Sequence, residues 1–136
     1  MTLRGRRPLT AGNGAHTAGV SDRKPGAVPP ATALPLAELV SYAEGSIVSR
    51  AILQQPAASL TLFAFDAGQA LSEHTTAFNA FLQVLDGEVD LVIGAKGMVA
   101  HAGEVVLLPG GVPHEVNARV RFKMLLTMVR PEPQSG

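Results

Sequence analysis

Beyond Gly45 the chain is built from short apolar and β-branched segments separated by glycine, proline, aspartate and asparagine. No segment there is both long enough and periodic enough for a core helix, so the pattern specifies an all-β sandwich or barrel. Strands are expected near 46–54, 58–66, 71–76, 79–86, 88–94, 97–101, 104–109, 113–117 and 119–129. The pair Asp86-Gly87 predicts a two-residue hairpin, because glycine accepts the positive φ of such turns. Ala95-Lys96-Gly97 predicts another reversal. In the last segment Val120, Phe122, Met124, Leu126 and Met128 alternate with Arg119, Arg121, Lys123 and Thr127, so one face lines an interior and the other meets water or a partner.

A chain of 136 residues with 46% hydrophobic content suffices for one compact domain. Residues 1–33, rich in Gly, Pro, Ala, Thr and Arg, lack a hydrophobic period and read as a disordered tail. The stretch PLAELVSYA at 35–43 has proline at a first helical position and Leu36, Leu39 and Val40 at helical spacing, which predicts a short N-terminal helix. The folded domain is therefore expected over 34–130, with a short tail at 131–136. Arg6-Arg7 near the start is not followed by the apolar segment that an export signal requires.

Eleven basic and eleven acidic residues cancel, and aromatic content is 4% with no tryptophan. That balance offers neither nucleic acid nor an anionic membrane a charged or stacking surface. The chain has no cysteine, which removes disulfides, thiolate nucleophiles and sulfur-ligated zinc. Apolar runs such as VVLL at 105–108 are far too short to span a bilayer. The expectation is a cytoplasmic protein.

Two histidines stand inside a recurring frame of glycines and proline. Gly68, His74, Thr76, Ala80 and Gly87 follow the spacing G-x5-H-x-H-x3-E-x6-G, and Gly103, Pro109, Gly111 and His114 follow G-x5-P-x-G-x2-H-x3-N. In these motifs, in order and separated by a short segment, the chain resembles a small single-domain bacterial cupin, a jelly roll of the RmlC-like type. The resemblance covers about 46–129 and implies an all-β jelly-roll barrel. In metal-binding cupins the first motif supplies two histidines and a glutamate, and the second supplies one histidine. Carried over, His74 and His114 match two metal ligands. Thr76 stands in place of the second histidine, Ala80 in place of the glutamate and Ala118 in place of the final asparagine.

The resemblance then implies a reduced site: Mn, Fe, Ni or Zn held weakly by two imidazoles, since a catalytic divalent metal usually keeps three protein ligands. Strand alternation turns Glu73, Glu115 and Gln83 away from the cavity and Leu82 and Val84 toward it. Thr76, Ala80, Leu82 and Met124 are the expected pocket wall. Met124 and Met128 read either as soft ligands or as core, and His74 and His114 either as site groups or as structural remnants. His101 reads as an exposed turn residue. No nucleophile elbow, phosphate loop or metalloprotease helix appears.

Three functions compete: a barrel that binds a small molecule beside a weak metal site, a metal-dependent dioxygenase or isomerase, and a non-catalytic dimeric sensor or partner. Whether the chain is an enzyme stays open at this point. A homodimer is expected from edge-strand logic, with SIVSRAIL at 46–53 as the contributing edge.

Overall fold

The computed structural model describes residues 24–131. They form nine strands: β1 (Ile47–Gln54), β2 (Ala58–Phe65), β3 (Ala70–His74), β4 (Asn79–Asp86), β5 (Glu88–Ile93), β6 (Lys96–His101), β7 (Val105–Leu108), β8 (His114–Asn117) and β9 (Phe122–Val129). Every strand predicted beyond Gly45 is present, with boundaries displaced by up to three residues.

The strands make two antiparallel sheets, ordered β1-β2-β9-β4-β7 and β3-β8-β5-β6. Only β1-β2 and β5-β6 are hairpins; every other connection crosses between sheets, which is the jelly-roll arrangement. Asp86-Gly87 is therefore not a hairpin turn. It is a corner where the chain leaves one sheet for the other. Gly87 has φ of 74° and a Cβ there would lie 2.1 Å from the Arg121 carbonyl oxygen, so glycine is required for close approach as well as for conformation. The second reversal also shifts: β5 turns into β6 through Gly94 and Ala95, and Lys96 already belongs to β6.

Between the sheets, Phe65, Leu82, Val84, Val89, Leu91, Leu108, Val116, Phe122 and Met124 form the principal core. The Phe65 and Phe122 rings pack with centroids 4.6 Å apart. In β9, Phe122 and Met124 are buried as the alternation requires, but Val120 is 40% exposed because the strand begins only after it.

A second core lies on the outer face of the five-stranded sheet, where Ile52, Leu62, Ala64 and Leu125 pack with Val40. Its cover is the segment that precedes β1. Val28 packs against this cluster and its N–H donates to the Ile52 carbonyl; Arg50 donates to the carbonyls of Gly26 and Leu39, and Lys123 to that of Ala37. The Tyr42 hydroxyl donates to the Asp86 carboxylate. Tyr42 is held well above the usual tyrosine range, first by burial and then by that carboxylate.

This corrects the expectation of a tail over 1–33. Residues 1–23 lie outside the described residues, but 24–33 belong to the segment before β1 that forms a strap over the second core. The short helix expected over 35–43 is a single 3-10 turn, Leu36–Leu39. It stops because Val40 takes an extended conformation, φ −137° and ψ 143°, that sends its side chain into the second core. At the other end residue 131 is exposed, and the rest of the expected C-terminal tail lies outside the described residues. No helix among the described residues is long and apolar enough to cross a membrane.

Candidate functional site

His74 ends β3 and His114 begins β8, and the two are direct cross-strand partners. Their rings meet edge to face, 4.3 Å between centroids and 68° between planes. The β3-β8 register shifts between Leu71 and His74. That bulge puts Leu71, which packs against the principal core, on the same face as His74, although the two are an odd number of residues apart. Simple alternation would give that face to Ser72, which is exposed.

Two loops hold the pair in place. The loop between β3 and β4 and the first residue of β4 accept hydrogen bonds from the loop between β7 and β8: Gly111 N–H donates to the Thr76 carbonyl at 2.8 Å and Gly110 N–H to Asn79 Oδ1 at 2.9 Å. A Cβ on Gly110 would stand 2.5 Å from the Ala77 carbonyl oxygen, so the clasp depends on a bare backbone there.

Each imidazole faces a backbone carbonyl through Nδ1, His74 to Ser72 at 2.9 Å and His114 to Val112 at 3.4 Å. A carbonyl oxygen only accepts, so Nδ1 carries the proton in both rings and the lone pair of the neutral form resides on Nε2. His74 is exposed and His114 is 6% exposed. Burial, reinforced by the neighbouring His74, holds the His114 pKa below 6.5, against the opposing effect of the Val112 carbonyl.

The other expected pocket residues divide. Thr76 lies beyond the end of β3, half-buried, and its hydroxyl accepts the Phe78 N–H at 3.2 Å. Ala80, Leu82 and Met124 are on the interior face but are 2%, 0% and 1% exposed, packed in the principal core. Phe63, Leu71, Ile93, Met98, Leu126 and Met128 are half-buried and pack against the same core. The alternation of the last segment signalled Leu126 and Met128; Leu71 was hidden by the bulge.

Glu73 is exposed, and Glu115, opposite Val92, contacts Asn117 at 3.5 Å. His101 is exposed at the end of β6, 3.2 Å from Glu104 and 3.9 Å from Glu88. Among the described residues no group of three or more His, Cys, Asp or Glu side chains is placed to hold a metal ion. Two imidazoles with a threonine and an alanine nearby do not fit the ligand set of a catalytic divalent metal, which needs a third donor and commonly an anionic one.

The family profile described as Cupin domain matches residues 61–129, a span that contains both histidine motifs. The chain belongs to the cupin family. Among solved structures, a conserved protein of unknown function from Streptococcus pyogenes superposes with a TM-score of 0.73 at 28% identity, over 78% of this chain and 93% of that one. A cupin superfamily protein from Desulfitobacterium hafniense gives 0.72 at 26% identity, over 76% and 95%. A cupin 2 conserved barrel domain protein from Leptotrichia buccalis is 37% identical with a TM-score of 0.67, over 69% of this cupin and 46% of that chain. No curated protein matches significantly in sequence.

Proposed function

We propose that this cupin binds a small molecule at the open end of its barrel, with His74 and His114 as the polar floor and with only weak affinity for a divalent metal. The supporting observation is the pair itself: two imidazoles in contact, carried beside clasped loops, with Thr76 and Ala80 where the motif of a full ligand set would have two more donors. The half-buried Phe63, Ile93, Leu126 and Met128 supply an apolar wall of the kind small-molecule sites use.

A metal-dependent dioxygenase or isomerase is the second reading, and retention of both histidines at motif spacing favours it. The test that separates the two is elemental analysis of protein purified without chelator or affinity-tag metal. Substoichiometric metal supports the binding barrel; one tightly held ion per chain supports the enzyme.

The proposal includes a homodimer in the cytoplasm, without nucleic-acid or membrane partners. β1, which contains most of the segment 46–53, is an edge strand, and the opposite edge, β7, exposes Val105 and Leu107 beside Phe81 of β4. Exposed apolar edges of this kind are open to pairing with a second chain.

A further inference from the structure

One cross-strand row runs over the whole four-stranded sheet at the level of the histidines: His74, His114, Ile93 and Lys96 are successive partners on β3, β8, β5 and β6. Directly opposed residues share a face. Ile93 packs against the principal core, so this is the interior face, and Lys96 stands on it at the rim. Among the residues that the strand register places on that face, Lys96 alone carries a formal charge. It has no ion-pair partner among the described residues, in contrast to Arg119 and Arg121, which are tied to Glu88, Asp90 and Asp66.

From this row we infer, resting on the small-molecule reading above, that the ligand is a hydroxylated organic anion: a carboxylate at Lys96, an apolar body along Ile93, and a hydroxyl that donates to the histidines. The polarity of the row fixes the orientation. With Nδ1 of each ring bound to a carbonyl, the free Nε2 atoms are acceptors. They repel a carboxylate and take an O–H. Lys96 has only donors, so the anionic end belongs there. Two inter-strand steps separate Lys96 from His114, about 9–10 Å of backbone spacing, which suits a ligand with a single ring or a short chain between its two polar ends. Thr76 adds a hydroxyl whose oxygen already accepts from Phe78, leaving its proton to meet a ligand oxygen.

The test uses three related probes titrated into the full chain by calorimetry and followed by imidazole NMR resonances: 3-(4-hydroxyphenyl)propionate, its primary amide, and 3-phenylpropionate. Each is measured against the unmodified protein, Lys96→Gln and His74→Phe. The hydroxy acid binds best. Loss of its charge and Lys96→Gln each weaken it by about 2- to 5-fold, as a rim ion pair does, and together weaken it no further. Loss of the phenol hydroxyl and His74→Phe behave as a second non-additive pair, about 5-fold. Lys96 is exposed, so its substitution tests the contact without burying anything new. If acid and amide bind equally and Lys96→Gln changes neither, the inference is overturned while the binding barrel stands. If no probe binds and no histidine resonance moves, both fail.

Discussion

His74 and His114 oppose each other across β3 and β8 with ring centroids 4.3 Å apart, and each follows or precedes a loop that is clasped to the other's. The pairing is set by the register of β3 and by two backbone N–H donors. The first prediction follows from that clasp. Gly110→Ala places a methyl 2.5 Å from the Ala77 carbonyl oxygen and 3.1 Å from that of Phe78. It should cost about 1–3 kcal/mol in a denaturant titration and shift the His114 resonances. A variant with unchanged stability and unchanged histidine signals shows that the loops are not what hold the pair.

The strap is as much a part of the fold as any strand. Val40→Ala removes apolar volume from a site that is 3% exposed and should destabilise by about 1–3 kcal/mol. Arg50→Met leaves the carbonyls of Gly26 and Leu39 without their donor and should raise hydrogen exchange at Val28, whose N–H is bonded to Ile52. Unaltered stability in both variants contradicts a packed strap.

Acid should weaken the fold through His114 before the carboxylates begin to titrate. Its pKa is depressed in the folded protein below 6.5, so at pH values beneath 6.5 the unfolded chain binds more protons than the folded one. Stability therefore falls as pH drops through 6.5 toward the folded value and levels off below it. Asp66, held near 2 by Arg121 and by the Gly45 N–H, contributes in the same direction only at lower pH. Urea midpoints at about pH 7.5 and 5.5 isolate the histidine, given its ordinary titration range. The unmodified chain should lose stability across that window and His114→Asn should lose less; equal slopes contradict the assignment.

For the proposed homodimer, Phe81 and Leu107 are cross-strand neighbours, 44% and 50% exposed, and Val105 lies further along the same edge at 58%. Light scattering at about 50 µM, a concentration that populates ordinary homodimers, should report two copies and Leu107→Asp should shift the mass toward one. A monomer in the unmodified chain removes the dimer from the account.

The sheet-forming segments were legible because alternation and turn residues are local signals, and the two histidines because their spacing matches a frame. Three features escaped for physical reasons. Asp86-Gly87 has the composition of a hairpin, but β4 and β5 pair with other strands, and only the topology decides between hairpin and corner. The β3 bulge reverses the face of Leu71, and nothing in ALSEH marks it. The strap looked like tail and helix because its few apolar residues, Val28, Leu39, Val40 and Tyr42, have no regular period; the outer face of a sheet gives them their burial. The motif spacing placed Thr76 and Ala80, but it did not show that Thr76 lies in a loop and that its hydroxyl accepts the Phe78 N–H.

His74 and His114 make a half-set of ligands, and calorimetric titration of Mn, Fe, Ni and Zn into metal-free protein tests that reading most directly. The unmodified chain should bind each no tighter than about 10 µM, with His74→Ala removing what binding there is, and Thr76→His with Ala80→Glu should tighten it by adding two donors and a negative charge. Stoichiometric binding well below that concentration by the unmodified chain, lost in His74→Ala, would contradict the account and move the metal-dependent enzyme to first place.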